Sequence, residues 1–246
     1  MKISQFAAVA ASCVALSTIA SNLVHAQTST SPAVPVGWLS ASSDLVRAGS
    51  NVALSWNINY PATVVDFVKV DDSTVIPKVT LDYEIRVLGA GVTTSSSNGS
   101  NLTFVPTEAM FSFAGGSYQR IFYGTNYDVK PSKVVASGNV QKDQPLYFGG
   151  RYFYNRSWSN FYHSTSGTKN VRTLVNGDAP PTTYALHTAP TLENFIKPYL
   201  DGSGRVAIGP MDVIVFMELT HTDKQSTQMG YDCQDMVLLV TFKTRK

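Results

Sequence analysis

Along residues 52–57 the apolar Val52, Leu54 and Trp56 alternate with the smaller or polar Ala53, Ser55 and Asn57, the period of two that marks a strand with one buried face. The same alternation, interrupted by turn residues, predicts further strands at Val64–Val70, Val79–Leu88, Leu102–Val105, Ala109–Phe113, Gln119–Tyr123, Leu146–Tyr154 and Val171–Val175. The strongest apolar runs, Met211–Thr222 and Gln234–Phe242, flank a polar stretch at 223–232. Pro210 and Asp212 would suit a helix start, but Val213, Ile214 and Val215 in succession are stiff at χ1 and disfavour a helix. The two runs therefore predict a hairpin at the centre of a sheet. One short helix is expected near 191–197, begun by Thr191 and ended by Pro198 and the turn at 201–204. Many short strands without strand–helix alternation predict an all-β fold, an antiparallel β-sandwich.

Turn residues divide these strands at Ala48-Gly49-Ser50 and Asn176-Gly177, and the segment TTSSSNGSN at 93–101 is expected to be a polar loop. The run DLVRAGSNVALSWNINYP at 44–61 resembles the opening strands of immunoglobulin-like sandwiches. The resemblance covers under 20 residues, and it implies an immunoglobulin-like N-terminal half without implying a function. Trp38 and Trp56, in these first strands, are expected in a core.

Residues 1–26 lie outside this strand pattern. Lys2 precedes an apolar run from Phe6 to Val24, and Val24 and Ala26 place small residues where a signal peptidase reads. Ser12, Ser17, Ser21 and Asn22 interrupt the run, which falls short of the roughly 20 apolar residues of a spanning helix. The expectation is a cleaved signal peptide at 1–26 and a Ser/Thr/Pro-rich tether at 27–35. A β-sandwich domain follows at 36–246, where 125–132 is the place it would divide. The protein is then exported, to the periplasm, cell surface or extracellular space, with no integral membrane span after signal removal.

Of 246 residues, removal of 26 leaves 220, with 43% of the whole chain apolar and only 15% charged, which suits a folded domain. Lys2 is the one charge in the signal, so the mature chain carries 18 basic against 17 acidic residues, a formal +1. That balance gives no long-range pull on a polyanion, and the scattered basic residues argue against nucleic acid as a partner. Cys13 falls in the signal, where the residues before it lack the large aliphatic side chain of a lipidation site. Cys233 is left alone in the mature chain, so no internal disulfide can form and packing must hold the fold. Its expected state is a small buried apolar residue; the sharper alternative is a disulfide between chains.

Little of the sequence points to catalysis. There is no Gly-x-Ser-x-Gly elbow and no His-Glu-x-x-His, and His163, His187 and His221 are far apart. No catalytic residue, metal ligand or cofactor is assigned. Asp82 and Glu84 share a strand face with Arg86 about 6.5–7 Å apart, within the inverting glycosidase range, although a solvated, charge-balanced face explains them as well. Glu218 interrupts an apolar strand and, if buried, must be paired or have a raised pKa. The stretch 200–212 has calcium-loop spacing at Asp201, Ser203 and Asp212, but Arg205 and Val206 occupy positions that need an oxygen donor and a glycine.

The most distinctive stretch is 147–163, with Tyr147, Phe148, Tyr152, Phe153, Tyr154, Trp158, Phe161 and Tyr162 among Arg151, Asn155, Arg156 and Asn160. Aromatic faces stack on sugar C–H patches while amide and guanidinium groups bond hydroxyls, so Tyr152, Tyr154, Arg156 and Trp158 are candidate glycan contacts. The plainer explanation is cross-strand packing in the sandwich, with a turn at 155–157 that leaves Trp158 near a loop tip. The first expectation for function is an exported non-catalytic β-sandwich protein of the envelope, cell surface or extracellular matrix, a structural or interaction scaffold with a protein or polysaccharide partner. The alternatives are a glycan-binding module using 147–163, and a carbohydrate-active hydrolase using a carboxylate pair.

Overall fold

The computed structural model describes residues 35–41, 54–95, 102–114, 116–181, 196–228 and 230–245. The predicted signal and residues 27–34 of the tether lie outside the described residues, as do 191–195 of the expected helix. The chain divides into two compact units, Met1–Ala62 and Thr63–Lys246. The candidate division at 125–132 falls in the connection from β9 (Gln119–Gly124) to β10 (Val134–Val140), through a 3-10 turn at Asn126–Asp128.

In the first unit, β1 (Val36–Ala41) and β2 (Leu54–Asn59) pair antiparallel, with Leu39 opposite Trp56. Of the run that resembles an immunoglobulin opening, residues 54–61 are described, and β2 is the strand they form. Trp38 and Trp56, expected in a core, are 49% and 72% exposed. Among the described residues of this unit the two strands form a single layer, and a ring needs a second layer to be buried against.

The second unit is an antiparallel sandwich. One sheet has the order β10-β5-β16-β15-β14, built from β10, β5 (Leu81–Gly89), β16 (Met236–Thr244), β15 (Asp212–Met217) and β14 (Val171–Leu174). The other has the order β3-β4-β11-β8-β9, from β3 (Val68–Val70), β4 (Thr74–Pro77), β11 (Leu146–Tyr154), β8 (Thr107–Phe113) and β9. The two-residue strands β12 (Ser157–Trp158) and β13 (Tyr162–His163) pair with β11. A separate hairpin joins β6 (Thr93–Ser95) to β7 (Leu102–Phe104), so the expected polar loop at 93–101 begins as a strand; 96–101 lie outside the described residues.

Between the sheets, Leu81, Ile85, Val215, Leu238 and Phe242 meet Ala109, Phe111, Leu146 and Phe148. Tyr83 places its ring edge-on to Phe111 and Phe113, 5.9 Å from each centroid. The other face of β15 and β16 is buried too: Ile214, Phe216 and Val237 pack with Ile196, Val206, Tyr231 and Cys233. Double-sided burial explains why Val213–Met217 and Met236–Val240 are continuous apolar runs and not alternating ones. The predicted central hairpin is thus present, with β16 between β15 and β5.

Several elements differ from the sequence pattern. Val64–Val70 starts as a helical turn, α1 (Val64–Phe67), and only then becomes β3. The Asp66 carboxylate accepts the Thr63 N–H at 2.7 Å, and this local cap outweighs the β preference of the two valines. β10 carries no period-two signal because it is an edge strand in which Val134, Val135 and Ala136 run together before Ser137, Gly138 and Asn139, free of the alternation a covered strand needs. Where the described chain resumes at Ile196, it makes one 3-10 turn at Lys197–Tyr199. Among the described residues no helix is long and apolar enough to cross a membrane.

Phe148 is fully buried at the sheet–sheet contact, so Phe148→Ala should lower the unfolding free energy by about 3–5 kcal/mol in urea denaturation. A loss under about 1 kcal/mol would mean the two sheets do not pack here.

Candidate functional site

β11 sends Phe148 and Tyr152 to the sandwich core, and by strand alternation Tyr154 shares their side while Gly149, Arg151 and Phe153 take the other. Burial pushes the Tyr152 hydroxyl pKa up, and the Tyr154 hydroxyl meets Thr94 Oγ1 at 3.4 Å. The chain reverses at Asn155 and Arg156, with φ of +48° and +64°. Two left-handed residues in a two-residue loop are what a type I′ hairpin turn requires. Trp158 then lies opposite Phe153. Of the four candidate glycan contacts, Tyr152 and Tyr154 therefore lie on one side of the sheet, Trp158 lies on the other, and Arg156 stands exposed at the turn.

The structure gathers a different set around Trp158. The Arg151 guanidinium lies 4.4 Å from its ring centroid, Phe153 lies 5.2 Å away edge-on, and Tyr123 lies 5.8 Å away. Beneath them, Tyr123, Glu108 and Arg151 stand in register across β9, β8 and β11. Arg151 Nε donates to Glu108 Oε1 at 2.5 Å, and Arg120 Nη1 is 3.5 Å from Oε2. Flanked by these groups, the Glu108 carboxylate is 1% exposed although it points to the outer face. A buried carboxylate needs such partners: Arg151 hydrogen-bonds Oε1, whereas Oε2 has only the longer ion pair with Arg120 and accepts no hydrogen bond.

A bulge in β9 opposite Ala109 and Met110 does further work. Residues 120 and 123 of a regular strand would point to opposite faces, but the extra residue turns both outward. Arg120 consequently sits 5.5 Å from the Tyr123 ring centroid. Next to this group, Tyr118, Phe161 and His163 form a second aromatic cluster, with centroids 5.0–5.4 Å apart. It requires Gly149 beneath it, where an added Cβ would lie 2.7 Å from His163 Cβ and 2.8 Å from Phe161 Cζ. Much of the 147–163 aromatic content is therefore an outer layer on one sheet, and only part of it is sandwich core. Trp158, 36% exposed, and Tyr123, 48% exposed, are its accessible rings.

The carboxylates fall into two groups. Asp82 and Glu84 lie on the outward face of β5, as the alternation predicted. Glu84 is bonded by Lys243 and by Arg86 at 2.6 Å, which hold its pKa below the usual range, and Asp82 is 3.5 Å from Arg245. Glu218 is fully buried just past β15 and accepts five hydrogen bonds. These come from the N–H groups of Thr220, His221, Asp232 and Cys233 at 2.9–3.1 Å and from the Thr220 hydroxyl at 2.6 Å. One side chain thus ties both limbs of the β15–β16 loop together. Asp235 Oδ2 adds bonds from Leu219 N at 2.6 Å and Thr220 N at 3.1 Å. Burial, and then the neighbouring Glu218, raise the Asp235 pKa well above the usual range.

Asp232 lines a small cleft of about 250 Å³ with Ile196, Lys197, Leu200 and Phe216. Its pKa is pushed up to about 7, chiefly by burial. Cys233, beside it, is 1% exposed with its thiol pushed up to about 12 by burial, so it is the small buried residue expected and is closed to exchange with another chain. Asp201 bonds Ser203 N, Ser203 Oγ and Arg205 N at 2.7–2.9 Å, a closed turn at the 200–212 stretch. No group of three or more His, Cys, Asp or Glu among the described residues is placed to hold a metal ion.

No protein-family model matches the chain, and no curated protein and no solved structure matches it either.

The raised Asp232 pKa has a consequence for stability. The unfolded chain loses this proton near pH 4, whereas the folded chain keeps it to about 7. The stabilisation is complete below the unfolded value and is lost as pH rises toward the folded one. The urea midpoint should therefore fall between about pH 4 and pH 7, and Asp232→Asn should flatten that slope. An unchanged slope in the variant would assign the dependence to other groups.

Proposed function

We propose that this chain is an exported, non-catalytic β-sandwich protein of the envelope, cell surface or extracellular matrix. It works as an interaction scaffold and touches its partner through the outer face of β8, β9, β11 and β12. The observation that carries this reading is Trp158 stacked on Arg151, with Tyr123 beside it and Glu108 fixing the guanidinium from below. Rings and cations held on sheet strands, not on loops, lose little freedom on contact, which favours their use as a recognition surface. The interrupted apolar run at 1–26 supports export, and the packed, disulfide-free sandwich supports a scaffold role.

A second reading, a glycan-binding module, is favoured by the partial exposure of both rings beside two arginines. Trp158 is retained from the sequence-derived contacts, and Tyr123, Arg120 and Arg151 join it. A hydrolase built on Asp82 and Glu84 has less support. A general acid needs a raised pKa, and the Lys243 and Arg86 contacts lower that of Glu84.

The purified mature chain should co-sediment with isolated cell envelopes or with insoluble polysaccharide. Trp158→Ala should weaken that association at least about tenfold, the scale of an aromatic anchor. Equal sedimentation of both forms would remove this surface from the reading, and no sedimentation of either would remove the scaffold role.

A further inference from the structure

We infer that the partner of this outer face is an acidic polysaccharide, a chain of uronic acid sugars. It lies along a track from Trp158 across Tyr123 to Lys130 and Lys133. The inference rests on the reading of the outer face as the contact surface, and it adds the class of ligand and the path it takes.

Tyr123 provides the continuity. Its ring meets Trp158, and the same residue lines a groove of about 270 Å³ with Ile121, Asp128, Lys130, Lys133 and Val135. This groove lies between β9, the edge strand of its sheet, and Val135 of β10 in the other sheet, and its floor includes Phe122 and the buried Val87. The track therefore holds two accessible rings at one end and two lysines at the other.

The charges along it are unequal. Arg120, Arg151, Lys130 and Lys133 stand against Glu108 and Asp128 alone. Both acids are already engaged: Glu108 by the two arginines, and Asp128 by the Thr125 N–H at 2.8 Å and hydroxyl at 2.9 Å. Those Thr125 bonds hold the Asp128 pKa below its usual value. Among the described residues Lys130 and Lys133 form no ion pair, and the Arg120 side chain is 56% exposed. The near-neutral formal charge of the whole chain conceals this local excess of cations.

Sugar rings offer C–H faces that stack on Trp158 and Tyr123, and their carboxylates match lysine and arginine donors. Four cations spread over a track suit a polymer with one charge per sugar. Duplex DNA carries a charge every ~1.7 Å and is bound by denser basic stripes.

The test is affinity electrophoresis of the mature chain through gels holding polygalacturonate, a neutral β-glucan or single-stranded DNA. Polygalacturonate should retard the protein most, with retardation falling as salt is raised. A Lys130→Ala, Lys133→Ala double variant should bind it about tenfold more weakly with an unchanged urea midpoint. Stronger retardation by the neutral glucan, or equal retardation of the double variant, would overturn the acidic-polymer inference while leaving the contact surface standing. Retardation by DNA equal to that by polygalacturonate would overturn it in favour of a general polyanion site. Loss of retardation in every gel for Trp158→Ala supports the shared surface. Full retention by that variant would overturn the surface itself.

Discussion

The sandwich depends on burial of β15 and β16 from both sides. One face packs against the second sheet through Val215, Leu238 and Phe242, and the other is covered by the chain at Ile196–Ile208 and by Tyr231 and Cys233. Polar groups buried where such a hairpin ends need partners, because a buried acceptor or donor without one costs several kcal/mol. The connecting loop meets this constraint internally. Glu218 and Asp235 turn inward and take up the N–H groups of both limbs, so the polar atoms nearest the core bond to the loop that covers them. Burial first, and then the gathering of three acids in that space, raise the Asp232 and Asp235 pKa values.

The outer face follows a related principle on a smaller scale. Glu108 is a carboxylate beneath a layer of rings, and it is tolerated because Arg151 and Arg120 reach it from β11 and β9. In return it fixes the guanidinium on which Trp158 stacks. The layer of rings and cations on this surface is thereby tied to strand register, since a one-residue slip between β8 and β11 would remove Arg151 from Glu108, and one between β11 and β12 would remove Trp158 from Arg151.

What the sequence reveals of this arrangement follows its local periods. The Leu81–Val87 alternation, the strand at 146–154, the turn at Asn155-Arg156 and the 211–242 hairpin can all be read without a partner in view. Glu218 also stands out, because a charged residue in an apolar run demands an explanation. Glu108 does not: one acid among Thr107, Ala109 and Met110 carries no local sign that it pairs with Arg151 forty-three residues away. Nor does the spacing of Arg120 and Tyr123 suggest a shared face, since the bulge that turns them together is a property of the pairing with β8. Trp38 and Trp56 show the opposite failure, where a correct strand pattern implied a burial that β1 and β2 by themselves do not provide.

Double burial also removes the usual means by which a strand finds its alignment. Where one face meets water, a shift by a single residue turns apolar side chains outward and is rejected. In Val213–Met217 and Met236–Val240 every such shift still places an apolar side chain on an apolar surface. Correct alignment must then come from groups that tolerate only one position, and these lie at the ends of the hairpin. Glu218 meets its four N–H donors in one alignment, Lys243 meets Glu84 in one, and Gly91 fits beneath the Gln234 carbonyl only because it lacks a Cβ. The polar residues at the margins act as the keys to a core whose own side chains would accept several fits.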